Sequence, residues 1–328
     1  MKALCSVTKI SKKSTKNILH KNKTFYKDIL KNLKNKVIID FVGDFMEIRK
    51  IKADEIRETV KKLFLDCNYF IGKDIYSALC SARESEESET AKNILSQIIE
   101  NDDIARQEQV PLCQDTGMAV LFVRYGDKVV VEDGSFNDAV TQGVREAYSQ
   151  GYLRKSVVSD PVFDRINTKD NTPCIIHTEI VPGDKIEILA GGKGFGSENM
   201  SRIAMLTPSK GIEGVKEFIL DTVRKAGPNP CPPMVVGVGI GGTFEKSAIL
   251  AKKATLRSID THNEDKRYSD LEDELLKEIN KMGFGPAGLG GSTTAIGVNI
   301  ETYPTHIAGM PVAVNICCHA ARHASAVI

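Results

Sequence analysis

A chain of 328 residues can bury a large core, as one domain or two. It is 41% apolar and 27% charged, as in an ordinary soluble globular protein, and no apolar run approaches the roughly 20 residues of a membrane span. Residues 1–45 carry eleven Lys, three Asp and no Arg or Glu, a charge of +8 that leaves −7 for the rest of a chain of net charge +1; a mildly acidic body gives no footprint for nucleic acid.

Residues 1–45 differ in texture from the remainder. A mitochondrial presequence would favour Arg and avoid acids, the reverse of what stands here. The segment reads as a basic extension outside the fold, with Met46 as the true start, because the codons of Gly43-Asp44 can form a purine-rich ribosome-binding site just ahead of it. A basic flexible arm is the alternative.

From Met46 onward the pattern is regular. Residues 53–70 have helical spacing, with Ile56, Val60, Leu63 and Phe64 on one face. A second helical stretch covers 74–108, and its polar middle, 83–90, reads as a solvated face or a break. Strands are expected at 119–124 and 128–131, then a helix from Ser135 to about Gln150, then strands at 174–180 and 185–189. A helix at 211–224 precedes an apolar strand at 232–240, after which Thr243 can cap another helix. Ser269 and Glu272 have the spacing of a capping box for a helix that runs to Met282 and stops at Gly283. Final strands at 293–300 and 308–317 are followed by a short helix carrying His319 and His323, both read as structural. Interleaved helices and strands place the fold in the α/β or α+β class, with mixed sheets and a helical N-terminal part. Strand order is not legible from these patterns.

The eight cysteines are Cys5, Cys67, Cys80, Cys113, Cys174, Cys231, Cys317 and Cys318, and they include no CxxC pair, which argues against a zinc ribbon. The length and the lack of an apolar signal segment point to a reducing, cytoplasmic setting. Cysteines there are core residues or metal ligands, and Cys67 and Cys80, among apolar helical neighbours, read as core.

Chemistry concentrates in Cys113-Gln114-Asp115-Thr116-Gly117, a thiol, an amide and a carboxylate side by side before an apolar run. A thiolate is a soft ligand suited to iron, Asp115 can carry a proton, and Gln114 can orient a carboxylate or hydroxyl. By itself the segment also reads as a plain turn with a buried Cys. Three glycine-rich stretches, 191–197, 237–243 and 283–292, could offer backbone N–H groups to an anion, and three in one chain favour a shared anionic ligand. Each alone is equally a tight turn. The second contains GxGxxG, but the acidic residues near 260 fall in a polar loop and not at the end of a second strand; GxxxxGK[ST] is absent. Cys231 sits among prolines in Pro230-Cys231-Pro232-Pro233, rigid enough for a ligand or for a loop.

In order along the chain, CQDTG, GFGSENMS, NPCPPMVVGVGIGG, GPAGLGGSTTAIGV and PTHIAGMPVAVNICCHAARH resemble the α subunit of the two-subunit class I fumarate hydratases and L-tartrate dehydratases, from about Met46 to the C-terminus. The resemblance implies a catalytic domain over 46–328 and a 4Fe–4S cluster held by Cys113, Cys231 and Cys318, with one iron left open. It implies that Gln114, Asp115, Arg154, Gly196 and His306 meet a small dicarboxylate, with Asp115 as general acid. It places the last cluster ligand at Cys318; alternation along a regular strand then turns Cys317 away. Single-chain relatives carry a second half that supplies further cationic residues. That half is expected here from a separate β subunit, as an α2β2 assembly. The implied reaction is (S)-malate ⇌ fumarate + water, with L-tartrate dehydration as the near alternative. A non-enzymatic anion- or nucleotide-binding protein using the glycine stretches is a different class of reading, and would carry no cluster.

Removing residues 1–45 is expected to leave solubility and activity unchanged, since a polar Lys-rich arm has little to bury. Loss of soluble protein on truncation would show that the extension belongs to the fold.

Overall fold

The computed structural model describes residues 48–328, so the basic extension at 1–45, the Met46 start and Cys5 lie outside the described residues. Strand β1 (Arg49–Ile51) leads into α1 (Ala53–Tyr69), whose buried Ile56, Val60, Leu63, Phe64 and Cys67 follow the expected helical stripe. The stretch predicted at 74–108 is two helices, α2 (Lys73–Ser85) and α3 (Glu89–Glu108), parted where Ser88 caps α3 by accepting from Ala91 N. Then follow β2 (Met118–Gly126), β3 (Val129–Val131), α4 (Phe136–Gln150), β4 (Ile175–Val181), β5 (Ile186–Lys193), the single-turn α5 (Phe195–Glu198) and β6 (Arg202–Leu206). The last part comprises α6 (Gly211–Ala226), β7 (Met234–Gly241), α7 (Phe244–Ala254), α8 (Lys266–Asn280), β8 (Ala295–Tyr303), β9 (Met310–Cys317) and β10 (Ala324–Val327). Among the described residues no helix is long and apolar enough to cross a membrane.

Two four-stranded mixed sheets result, in the orders β10-β5-β2-β4 and β6-β9-β7-β8, beside a parallel pair of β1 and β3. In the first sheet β2 runs antiparallel to β5 and parallel to β4; in the second β7 runs antiparallel to β9 and parallel to β8. Helices α1 and α4 cover one face of the first sheet through Phe64, Val140, Val144, Leu121 and Ile188. Helices α6 and α8 cover one face of the second through Ile219, Leu275, Val236, Val298 and Val314. The other face of β7 takes α7 at very close range. A Cβ on Gly239 would stand 2.0 Å from the Ser247 carbonyl, and one on Gly237 2.3 Å from that of Ala251. Those glycines are therefore strand residues that admit a helix, and not an anion-binding turn. A third cluster packs α2 and α3 against one end of the second sheet through Ile71, Ile75, Leu79, Leu95, Val235 and Cys317.

The fold class is as expected, and several local expectations are corrected. Strands β1, β6 and β10 carry no clear sequence signal. The latter two are edge strands and β1 has a single partner, so side-chain alternation is weak in all three. The helix expected after Cys318 is absent: the chain there is irregular and then pairs as β10 with β5. Asp265, not Ser269, caps α8, accepting from Arg267 N at 2.9 Å. Glu272, expected in a capping box, lies inside α8, where its carboxylate accepts from Ile300 N at 2.7 Å and pairs with Arg257. Thr243 occupies the N-cap of α7, but its hydroxyl bonds the Glu245 carboxylate and not the helix backbone.

Glu86, in the supposedly solvated break, is 2% exposed. Its carboxylate accepts from Ser292 N and Oγ and from Thr293 N and Oγ1, at 2.9–3.2 Å, tying the third glycine stretch to the helical part. The anion served by that stretch is thus an internal one. Burial pushes the Glu86 carboxyl up, but the bonds from Ser292, Ser88 and Thr293 outweigh it and hold its pKa below the ordinary carboxylate value.

Glu86→Ala is expected to cost about 2–3 kcal/mol in urea unfolding at pH 7, because it strands buried donors of Ser292 and Thr293. With the folded pKa depressed, this stabilisation is complete above the unfolded value of about 4.3 and is lost as pH falls through the folded one. The variant should lack that part of the acid dependence. Equal unfolding midpoints at pH 7 would show the carboxylate to be dispensable.

Candidate active site

The Cys113–Gly117 turn is clamped before it enters β2. Leu112 N donates to Asn68 O at 2.9 Å, and Asn101 Nδ2 to Leu112 O at 2.9 Å. The buried Tyr148 hydroxyl points at the carbonyls of Thr116 and Gly117, both at 3.0 Å, and Asn171 Nδ2 donates to Gly117 O at 3.1 Å. Gly117 has φ +74°, and a Cβ there would stand 2.4 Å from the Lys193 carbonyl carbon, so another residue type would be strained twice over.

This clamping fixes the reactive groups. Asp115 Oδ1 accepts from Gly117 N at 3.1 Å, and Oδ2 accepts from Phe195 N, the first residue of α5, at 2.9 Å. The carboxylate therefore bridges the turn and the start of a helix whose next residue, Gly196, is exposed with open space where a side chain would be. The Cys113 thiol accepts from Asp115 N at 3.4 Å and donates to the exposed Gln114 Oε1 at 3.3 Å. Thr116 Oγ1 donates to Arg154 O at 3.2 Å, and Asn171 Oδ1 takes the amides of Ser156 and Val157, so the segment bearing the exposed Arg154 is anchored to the same turn.

Cys231 approaches from the start of β7. It has φ +55°, a left-handed backbone unusual for a residue with a side chain, held by Cys231 N donating to Pro228 O at 3.1 Å. Its carbonyl accepts from His319 N at 3.3 Å, which joins it to the residue after Cys318. Antiparallel pairing of β7 and β9 sets Val235 opposite Cys317 and so brings these two segments to one sheet end. Burial pushes the Cys231 thiol up, and the neighbouring Cys318, Cys113 and Asp115 push it further. Cys318, Cys113 and Asp115 thus stand within electrostatic reach of the Cys231 thiol.

Cys317 and Cys318 are separated by burial, not by strand alternation. Cys317 ends β9 at 3% exposure inside the third core cluster, and Cys318, half-buried, is the first residue past the strand. The neighbouring Cys317 and burial push the Cys318 thiol up, and Cys318 lies past the last residue of β9, where strand alternation no longer applies. His306 is not brought to this site. It lies in the exposed loop before β9, whereas Cys318 follows the end of that eight-residue strand, roughly 25 Å away along the strand. The second glycine stretch lies at that far end too, where Gly242 O accepts from Thr305 Oγ1.

Beside α5 is a charged cluster that carries no motif. Lys193, 2% exposed, donates to Ser197 Oγ at 2.9 Å and pairs with Glu198, which also pairs with Lys252 and accepts from Asn315 Nδ2. Burial pushes the Glu198 carboxyl up, but Lys193 and Lys252 outweigh it, and its pKa falls below the ordinary value. These residues border a half-open cleft of about 330 Å³ between β2, β4 and α7. Sequence reading passed over Lys193, although it stands within the first glycine stretch, because periodicity cannot reveal that a lysine is buried.

Among the described residues, no three His, Cys, Asp or Glu converge closely enough to hold one metal ion. The donors gathered here are three soft sulfurs, a set that suits a group of several irons in which each thiolate takes a different metal.

The chain matches the fumarate hydratase (Fumerase) family over residues 57–327. A Methanocaldococcus jannaschii protein, provisionally named L(+)-tartrate dehydratase subunit alpha, is 43% identical over 274 residues, covering 82% of this chain and 96% of its own. L(+)-tartrate dehydratase subunit alpha of Escherichia coli O157:H7 is 33% identical over 259 residues, covering 78% and 84%, and that of Escherichia coli K12 gives the same values. The chain belongs to the fumarate hydratase family.

Proposed function

We propose that the chain, from Met46 onward, is the α-type catalytic domain of a hydro-lyase that uses a 4Fe–4S cluster held by Cys113, Cys231 and Cys318. The observation that carries this reading is that Cys231 O accepts from His319 N, next to Cys318, with Cys113 and Asp115 near enough to act on the Cys231 thiol, although the three cysteines are 118 and 87 residues apart in sequence. The preferred reaction is (S)-malate ⇌ fumarate + water. Held by those three cysteines, such a cluster would supply Lewis acidity toward a hydroxyl and a carboxylate.

The chain's own residues do the rest. Two backbone donors fix the plane of the Asp115 carboxyl, leaving lone pairs free to hold a proton for the departing hydroxyl oxygen. Gln114, exposed beside it, orients the substrate's polar groups, and Arg154 suits bidentate capture of a carboxylate. Gly196, with no side chain above the first turn of α5, lets a carboxylate approach the backbone. His306 can meet a substrate held here only from a second copy of the chain, and its role is assigned on that footing.

The base that removes the C3 proton, and the cations for the second carboxylate, come from a separate β subunit in an α2β2 assembly. The relatives' names, subunit alpha, support a partner of this kind. Cysteines that serve as cluster ligands must stay reduced, which fits a reducing cytoplasm. The relatives' names also favour a second substrate reading, L-tartrate → oxaloacetate + water.

Anaerobic co-production with a β-type partner, followed by assay on malate, fumarate and L-tartrate, decides between the substrates. Turnover of none of them by a cluster-loaded complex would refute the hydro-lyase reading. The α chain alone should be inactive.

Asp115→Asn is expected to keep the cluster's visible absorbance while kcat falls about 10²–10⁴-fold, the range for losing a general acid. A near-wild-type rate would remove Asp115 from proton transfer.

Cys318→Ser should abolish both absorbance and activity. Cys317→Ser, a core change, should retain both with a modest loss of stability. The reverse pattern would assign the ligand to Cys317.

A further inference from the structure

The guanidinium of Arg322 is 2% exposed, in the irregular segment between Cys318 and β10. Nη1 donates to Asn68 Oδ1 at 3.3 Å, and Nε has no partner among the described residues. The groups that act on it most strongly are Cys318, Tyr148, Cys317 and Cys67. The Cys67 thiol is pushed up to about 12 by burial, and burial also pushes the Tyr148 hydroxyl up, so both are neutral at physiological pH. A buried cation without a counter-ion is costly, by several kcal/mol for an isolated charge. Lys193 is also a buried cation in this fold, but it pairs with a carboxylate, as the half-buried Arg257 does. Arg322 faces the cysteine site instead. A Cβ on Gly194 would stand 3.4 Å from Arg322 Nη2 and 3.1 Å from Asp115 Oδ2, so only that glycine separates the guanidinium from the Asp115 carboxylate.

We propose that Arg322 is the internal counter-cation of the cysteine site, a positioning residue whose fixed charge offsets the negative charge gathered when Cys113, Cys231 and Cys318 hold an iron–sulfur group. This rests on the cluster-binding reading above. It explains why an arginine is kept buried with one weak hydrogen bond and no direct ion pair: the nearby Asp115 carboxylate does not bond it, and the bound group supplies the remaining counter-charge. Arginine suits the task because it stays charged at any accessible pH.

The test uses the full chain, reconstituted anaerobically with ferrous iron and sulfide, in wild-type, Arg322→Gln and Arg322→Lys forms. Three readouts are taken: loss of visible absorbance to a chelator, the cluster's reduction midpoint, and thermal unfolding before and after loading. Arg322→Gln keeps a partner for Asn68 but loses the charge. It should lose its cluster at least about tenfold faster than wild type, the size expected for one charge several ångströms away at an effective dielectric of about 20. Its midpoint should be more negative, and without iron it should unfold no earlier than wild type. Arg322→Lys should stay near wild type in cluster retention. Equal retention by Arg322→Gln and wild type would overturn the proposal alone, as would an iron-free Gln variant that fails to fold, or a Lys variant as defective as Gln. A wild-type chain that takes up no cluster would overturn the site reading, and the proposal with it.

Discussion

The antiparallel pairing of β7 with β9 is the constraint on which the site depends. Val235 opposite Cys317 leaves the segment before β7 and the segment after β9 at one end of the sheet, and these carry Cys231 and Cys318. Neither segment is regular. Cys231 holds a left-handed backbone, and Cys318 lies where strand geometry lapses. The sheet behind them is rigid because helices cover both faces, one through apolar side chains and the other through glycines that let α7 touch the strand. Reactive groups on irregular backbone, carried by a closely packed scaffold, are the common arrangement for binding and chemistry.

Within the first sheet, a carboxylate ties two neighbouring turns together. Asp115 joins the turn before β2 to the turn after β5, two segments that are neighbours because β2 and β5 pair with Met118 opposite Lys193. One residue thus completes the local fold and offers its remaining lone pairs to the site. Buried charge recurs around it. Lys193, Glu198 and Lys252 satisfy one another, Glu86 is satisfied by the third glycine stretch, and Arg322 has no such partner. Burial of ions is tolerable where counter-charge and hydrogen bonds are supplied.

The glycine stretches show how a pattern can be noticed and misassigned. All three looked alike as potential anion cradles. The first lies beside Asp115, the second admits a helix, and the third serves Glu86. Glycine marks where backbone comes close to something; the neighbour is fixed by pairing far away in sequence. The capping box at Ser269 and Glu272 failed for a similar reason, since the backbone amide of β8 took the glutamate.

Helical stripes, the long central strands, the α/β class and the family resemblance are all legible in the amino-acid order. Those are local signals, written in periodicity and in adjacent residues. Only the folded chain reveals the strand orders, the edge strands β6 and β10, the distance of His306 from Cys318 and the burial of Arg322. Each of these depends on which strand lies beside which, and on burial summed over residues more than a hundred positions apart. A window of ten or twenty residues holds no record of that.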